Sequence, residues 1–203
     1  MKNDKIIKVI EYVSNCLEGN VNAHGFDHSM RVYRNIEKLL LCYPTADSEL
    51  CYISGLVHDL IDDKVAVDVK ISKNRLTNFL ETLDYSNDFI NKVFFIIENM
   101  SFRKGQYGIF DDMIEGQIVQ DADRLEAVGA IAIIRTAMYG AVSGRPTIYI
   151  KDDTSNDTMI GHFHAKLYKL ADYMNTPQAS EWAVERIEFM KKFESQLIAE
   201  MEF

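Results

Sequence analysis

Leu50-Cys51-Tyr52-Ile53-Ser54-Gly55-Leu56-Val57-His58-Asp59-Leu60 is the stretch on which the fold turns. Its apolar positions, Leu50, Cys51, Ile53, Leu56, Val57 and Leu60, recur at three- and four-residue intervals and cover a wide arc of a helix. Such a helix is buried on most sides and needs other helices around it. Ala46-Asp47-Ser48, just upstream, supplies side chains able to cap its start. At its far end an imidazole and a carboxylate, His58 and Asp59, break the apolar run.

The flanking segments carry the same period. Ile7, Ile10, Val13 and Leu17 line one helix, closed by Gly19-Asn20. Phe26, Met30, Val32, Tyr33, Ile36, Leu39 and Leu40 line a second, ended near Tyr43-Pro44 because proline cannot continue the hydrogen-bond ladder. Downstream, helices are expected over about 72–82 and 87–99, and residues 103–116, with three glycines, read as an exposed loop. From Ile118 to Tyr139 the chain is almost uniformly apolar, with small residues at Ala122, Ala127, Gly129, Ala130 and Ala132. That composition suits one long central helix. Residues 140–157 read as a loop, and two amphipathic helices, about 160–174 and 178–200, end the sequence. Thr147-Ile148-Tyr149-Ile150 is β-branched and aromatic but too short to build a sheet alone. The expected architecture is all-α: a single domain of residues 1–203, its core about 20–140, with C-terminal helices about 158–203 packed on it.

Composition narrows the function. The chain has 203 residues, 47% of them hydrophobic, with 10 Gly and 3 Pro, which excludes disorder and collagen-like repeats. Its 22 basic and 31 acidic side chains give a formal charge of -9, the wrong sign for gripping a long nucleic acid through its phosphates. A small anion that arrives with a metal ion is compatible with that charge. Cys16, Cys42 and Cys51 are odd in number and form no C-x-x-C pair, as expected of reduced thiols in the cytoplasm. The first residues, MKNDKIIKVIEYV, lack the apolar core of a secretory signal, and no apolar run reaches the roughly 20 residues that span a bilayer.

Four features place metal-ligating side chains inside otherwise core-like segments: His24-Gly25-Phe26-Asp27-His28, His58-Asp59, Asp62-Asp63 and Asp121-Ala122-Asp123. A buried carboxylate is costly unless it is paired or coordinates a cation, and matching basic residues are not nearby in the sequence. A divalent ion resolves the imbalance, and a mixed set of imidazoles and carboxylates suits Mn, Fe, Co, Ni, Zn or Mg. His24 and His28 have the spacing of a zinc peptidase H-E-x-x-H motif, but Gly25 stands where that motif needs its glutamate. Asp27 or Asn22 is available to cap the helix that follows, which leaves His24 in the preceding loop and His28 in the first turn. Ordinary helix geometry sends His58 and Asp59 about 100° apart, so both reach one ion only if the helix ends there. Asp121 and Asp123 read equally as first-turn acids favoured by the helix dipole.

The order H…HD…D, with His28 followed by Arg31-Val32, with Leu56-Val57-His58-Asp59-Leu60, and with Val119-Gln120-Asp121-Ala122-Asp123-Arg124-Leu125, resembles the HD-domain metal-dependent phosphohydrolase superfamily. Ile96-Ile97-Glu98-Asn99-Met100-Ser101-Phe102-Arg103, the run from Gly129 to Thr136, Gly144-Arg145-Pro146 and His162-Phe163 extend the resemblance to the bacterial YpgQ/YedJ-like branch. It implies an all-helical fold with one divalent ion, Mn2+ first among the candidates, held by His28, His58, Asp59 and Asp123. It further implies that Asp62, three positions after the HD aspartate, assists catalysis, with Asp63 following it. Some members of that branch carry histidine where this chain has Asn99 or Met100.

The implied reaction is hydrolysis of a nucleotide, foremost a nucleoside or deoxynucleoside triphosphate, to the monophosphate and pyrophosphate. Lys64, Arg103 and Lys104 are the expected holders of the phosphate chain. Arg31 and Arg124 are candidates that could instead pair with a ligand aspartate, and His24 and His162 complete the substrate-binding set. A 5'-nucleotidase acting on monophosphates and a non-catalytic nucleotide sensor are the alternatives. The expected partner is a small nucleotide, with no long nucleic acid and no membrane, and oligomeric state is not set by this pattern.

Overall fold

The computed structural model describes residues 2–19, 25–61, 68–100, 110–147 and 157–201, and among them every regular element is helical. In order these are α1 (Lys2–Cys16), α2 (Phe26–Leu40), α3 (Ser48–Val57), α4 (Val69–Thr82), α5 (Asn87–Asn99), α6 (Ile114–Leu125), α7 (Ala130–Ser143), α8 (Met159–Ala165) and α9 (Pro177–Met201). Two 3₁₀ segments, His58–Ile61 and Leu167–Tyr173, follow α3 and α8. Chain packing divides the molecule into two compact units, residues 1–122 and 123–203.

The first unit is built around α3, as its wide apolar arc requires. Leu50, Cys51, Ile53, Ser54, Gly55, Leu56 and Val57 are all buried, and α1, α2 and α5 pack against the helix. Complete burial of a side chain such as Ile53 or Leu56 contributes about 1.5–3 kcal/mol. The helix starts where expected: Asp47 Oδ1 accepts from the Glu49 and Leu50 amides at 3.1 and 3.2 Å. Gly55 lets α2 come close, because a Cβ there would lie 2.2 Å from Ile36 Cδ1. Ser86 and Asp68 cap α5 and α4 in the same manner, by accepting from Phe89 N and Ile71 N.

The helix expected over about 160–174 is α8 followed by the 3₁₀ segment Leu167–Tyr173, α7 runs to Ser143 inside the loop expected over 140–157, and two further boundaries near α6 differ from the sequence reading. The expected loop over 103–116 gives way to helix at Ile114, since Met113 N closes a turn on Phe110 O and Gly116 packs against the Phe110 ring. The single helix expected from Ile118 to Tyr139 is two helices, α6 and α7, separated at residues 126–129. Gly129 makes the break, with φ 92° and ψ -162°, a conformation open essentially to glycine alone. The break also alters burial: Ala132, Ile133 and Gly140 on α7 are buried, whereas Ile134, Met138 and Val142 are exposed. Apolar composition alone gave no means of separating those two faces. No strand occurs among the described residues, and Thr147 is the only part of the β-branched run that falls within them. Among the described residues, no single helix is long and apolar enough to cross a membrane.

In the second unit α9 packs on α7 and on the 3₁₀ segment Leu167–Tyr173, which in turn packs on α8. Thr158 caps α8 through Gly161 N at 2.8 Å, and Glu194 of α9 accepts from Tyr168 and meets His164 Nε2, each at 2.6 Å. The Arg186 side chain of α9 lies 3.2 Å from where a Cβ on Gly129 would sit. Replacing Gly129 by Ala therefore combines a forbidden φ with a crowded neighbour, and the variant is expected to lose about 1–3 kcal/mol of stability. Urea denaturation checks this, and an unchanged midpoint would contradict the break described.

Candidate metal centre

Helix ends bring the first three chemical groups together. Gly25, extended at φ -79° and ψ 173°, is the N-cap of α2 and accepts from His28 N at 2.9 Å. The cap is therefore backbone rather than the expected Asp27, which stands exposed in the first turn, while Asn22 lies outside the described residues. His28 occupies the first turn and is buried, 3% exposed. The α-helical winding of α3 stops at Val57 and tightens into the 3₁₀ segment His58–Ile61, so His58 and Asp59 are released from α-helical spacing as the sequence reading requires. Both are buried.

Their polar atoms converge. His28 Nε2 lies 3.2 Å from His58 Nε2, and Asp59 approaches both, with Oδ2 3.6 Å from His28 Nε2 and Oδ1 3.4 Å from His58 Nε2. His58 Nδ1 lies 2.8 Å from the carbonyl of Gly55. A carbonyl only accepts, so Nδ1 carries the hydrogen and Nε2 of the neutral ring presents its lone pair to the cluster. This is the arrangement that orients a metal-ligating imidazole from behind.

The donor set fits a divalent ion. Ligand atoms about 2.1 Å from a common ion are about 3.0 Å apart at 90° and about 3.4 Å apart at the tetrahedral angle. The three observed separations run from 3.2 to 3.6 Å. A buried carboxylate beside two imidazole nitrogens is also a mixed oxygen and nitrogen donor set of the kind that suits a divalent cation. Among the described residues, His28, His58 and Asp59 form the group whose geometry meets this test.

The other expected site residues fall in three classes. His24, Asp62, Asp63, Lys64, Arg103 and Lys104 lie outside the described residues, as do Phe102 and Tyr107. Arg31 is half-buried on α2, one turn after His28. Asp123 is half-buried in the last turn of α6, at the start of the second unit, and its neighbour Asp121 is fully buried. Arg124 donates to the Tyr173 carbonyl, so that guanidinium serves a backbone group of the second unit. The sequence reading passes over two groups. The Gly55 carbonyl leaves no mark in a side-chain pattern, whereas Asn35 was discoverable as a polar residue on the apolar stripe of α2.

His162 is half-buried on α8 in the second unit. Burial, then the positive charges of Lys166 and Arg145, push its imidazole down from 6.5 to about 4. The ring therefore stays neutral near pH 7 and can donate only one hydrogen at a time.

The HD domain family matches residues 25–128, just over half of the chain. This chain belongs to the HD domain family. The match takes in His28, Arg31, His58, Asp59 and Asp123. The chain is 34% identical over 187 residues to the uncharacterized protein YpgQ of Bacillus subtilis, covering 92% of this chain and 88% of that one. The crystal structure of Bacillus subtilis YpgQ in complex with ADP matches with a TM-score of 0.81 at 32% identity, over 97% of this chain and 98% of the other. An HD-superfamily hydrolase from Bacillus thuringiensis matches with a TM-score of 0.81 at 33% identity, over 99% and 98% of the two chains.

Two measurements check this HD domain. Asp59→Ala is expected to abolish retention of a divalent ion after gel filtration, read by elemental analysis, and wild-type metal content in the variant would refute the triad. For His162, the unfolded chain takes up its proton near 6.5 and the folded chain only near 4, so the unfolded state binds more protons in that window. Stability accordingly falls as pH drops from about 6.5 towards 4, and His162→Gln is expected to flatten the slope of denaturation midpoint against pH.

Proposed function

We propose that this HD domain is a metal-dependent phosphohydrolase acting on nucleotides, and that it splits nucleoside or deoxynucleoside triphosphates into the monophosphate and pyrophosphate. The observation that carries the reading is the convergence of His28 Nε2, His58 Nε2 and Asp59 within 3.2 to 3.6 Å in a buried position. The nucleotide in the structure of the relative YpgQ supports the substrate class. Asp123, in the HD-matched region, is proposed as the fourth ligand, with Mn2+ as the first candidate ion.

A divalent ion held by this set would lower the pKa of a bound water by several units and polarise a phosphoryl oxygen. Asp62 is assigned to orient the attacking water or relay its proton, and Asp63, which follows it in the sequence, is the second acidic candidate. Water adds to the α-phosphorus, the bond to the bridging oxygen breaks, and pyrophosphate leaves. Lys64, Arg103 and Lys104 neutralise the phosphate chain, with Arg31, His24 and His162 as further contacts. His162 is held neutral by burial and two nearby cations, so its contribution is a hydrogen bond rather than a charge.

The direct test is a panel of nucleoside mono-, di-, tri- and cyclic phosphates assayed with several divalent ions, with products identified by mass. Triphosphates are expected to yield monophosphate and pyrophosphate with Mn2+, and Asp62→Asn is expected to slow turnover by roughly 10² to 10⁴ while the ion stays bound. Orthophosphate released from monophosphates would assign a 5'-nucleotidase. Tight nucleotide binding without any product would assign a sensor.

A further inference from the structure

The buried face of α2 is apolar at Val32, Ile36 and Leu39 but also carries Asn35, 5% exposed. Asn35 follows His28 by seven residues, two helical turns, so both side chains leave the same side of α2. A carboxamide in that setting needs partners. Its Nδ2 donates to the carbonyl of Ala122 at 3.1 Å, across 87 residues of sequence.

That carbonyl is available for a specific reason. In a continuing α-helix Ala122 O would accept from the amide of residue 126. Here Glu126 N turns to Asp123 O at 2.9 Å and Ala127 N to Arg124 O at 3.0 Å, so the helix tightens and releases the Ala122 carbonyl. Asn35 takes it up. Ala122 stands between Asp121 and Asp123, and a hold on its peptide is a hold on the backbone from which both carboxylates leave.

We propose that Asn35 is a positioning residue of the metal centre, whose hydrogen bond to Ala122 O holds the α6 peptide from which Asp123 follows. This rests on the reading that Asp123 completes the ligand set. The role assigned to Asn35 requires no contact with ion or substrate. It acts through the placement of a ligand-bearing backbone, as partners behind a ligand commonly do.

The experiment is isothermal titration of Mn2+ into metal-free wild type, Asn35→Leu, Asn35→Ala, Asp123→Ala and the double variant carrying Asn35→Leu with Asp123→Ala. Far-UV circular dichroism of each serves as the fold check. Asn35→Leu keeps volume and removes the donor, and Asn35→Ala covers the case in which leucine does not fit. Each folded Asn35 variant is expected to weaken Mn2+ binding by roughly 10- to 100-fold. The double variant is expected to bind no more weakly than Asp123→Ala alone, because positioning exerted through Asp123 has nothing left to act on. Wild-type affinity in the Asn35 variants, or losses that simply add in the double variant, overturns the positioning role while leaving the ligand set intact. Wild-type affinity in Asp123→Ala overturns the ligand set, and the positioning role with it. Unfolding of both Asn35 variants assigns the residue to fold stability and also overturns the proposal.

Discussion

The bond between His58 Nδ1 and the Gly55 carbonyl governs the chemistry available to this protein. It fixes the imidazole tautomer, turns Nε2 towards His28 and Asp59, and does so from a backbone group that substitution of a side chain cannot remove. The same three-residue step that carries Gly55 O to His58 lies at the junction where α3 gives way to a 3₁₀ turn. Without that change of winding, His58 and Asp59 would diverge along the helix surface. The metal centre is thus a property of a helix terminus as much as of its ligands.

Helix ends recur as the working parts of this fold. His28 enters in the first turn of α2, stabilised by a Gly25 cap made from backbone alone. The end of α6 leaves carbonyls that side chains then satisfy: Asn35 on Ala122, Arg186 on Leu125 and Arg135 on Glu126. Arginines are favourable there because the negative end of the helix dipole is concentrated on those oxygens. An α6 that ran on through residue 129 would have paired most of these carbonyls internally. The turn at Glu126 and Ala127 and the positive φ of Gly129 end the helix instead.

Electrostatics separates the two units in character. The triad of the first unit gathers lone pairs and one carboxylate, a combination that draws a cation. His162 of the second unit is held neutral, first by burial and then by the positive charges of Lys166 and Arg145.

The helices around α3 were legible from residue spacing, because apolar periodicity and capping side chains are local properties of the chain. The starts of α3 and α5 at Asp47 and Ser86 follow from residues within three positions of each helix. His28, His58 and Asp59 were legible as metal-binding residue types through their order and their likeness to HD proteins. Their meeting at 3.2 to 3.6 Å was decided by tertiary packing, since His28 and His58 are 30 residues apart and only the apposition of α2 on α3 at Gly55 joins them. The break at Gly129 was likewise decided in three dimensions. An apolar run rich in alanine favours helix despite its one glycine, and the break follows from the turn at Glu126 and the conformation of Gly129 beside Arg186. Sequence determined which segments are helical and which groups could bind a metal. Packing determined which atoms face one another, because distances between remote residues depend on how helices dock and not on the propensity of any one of them.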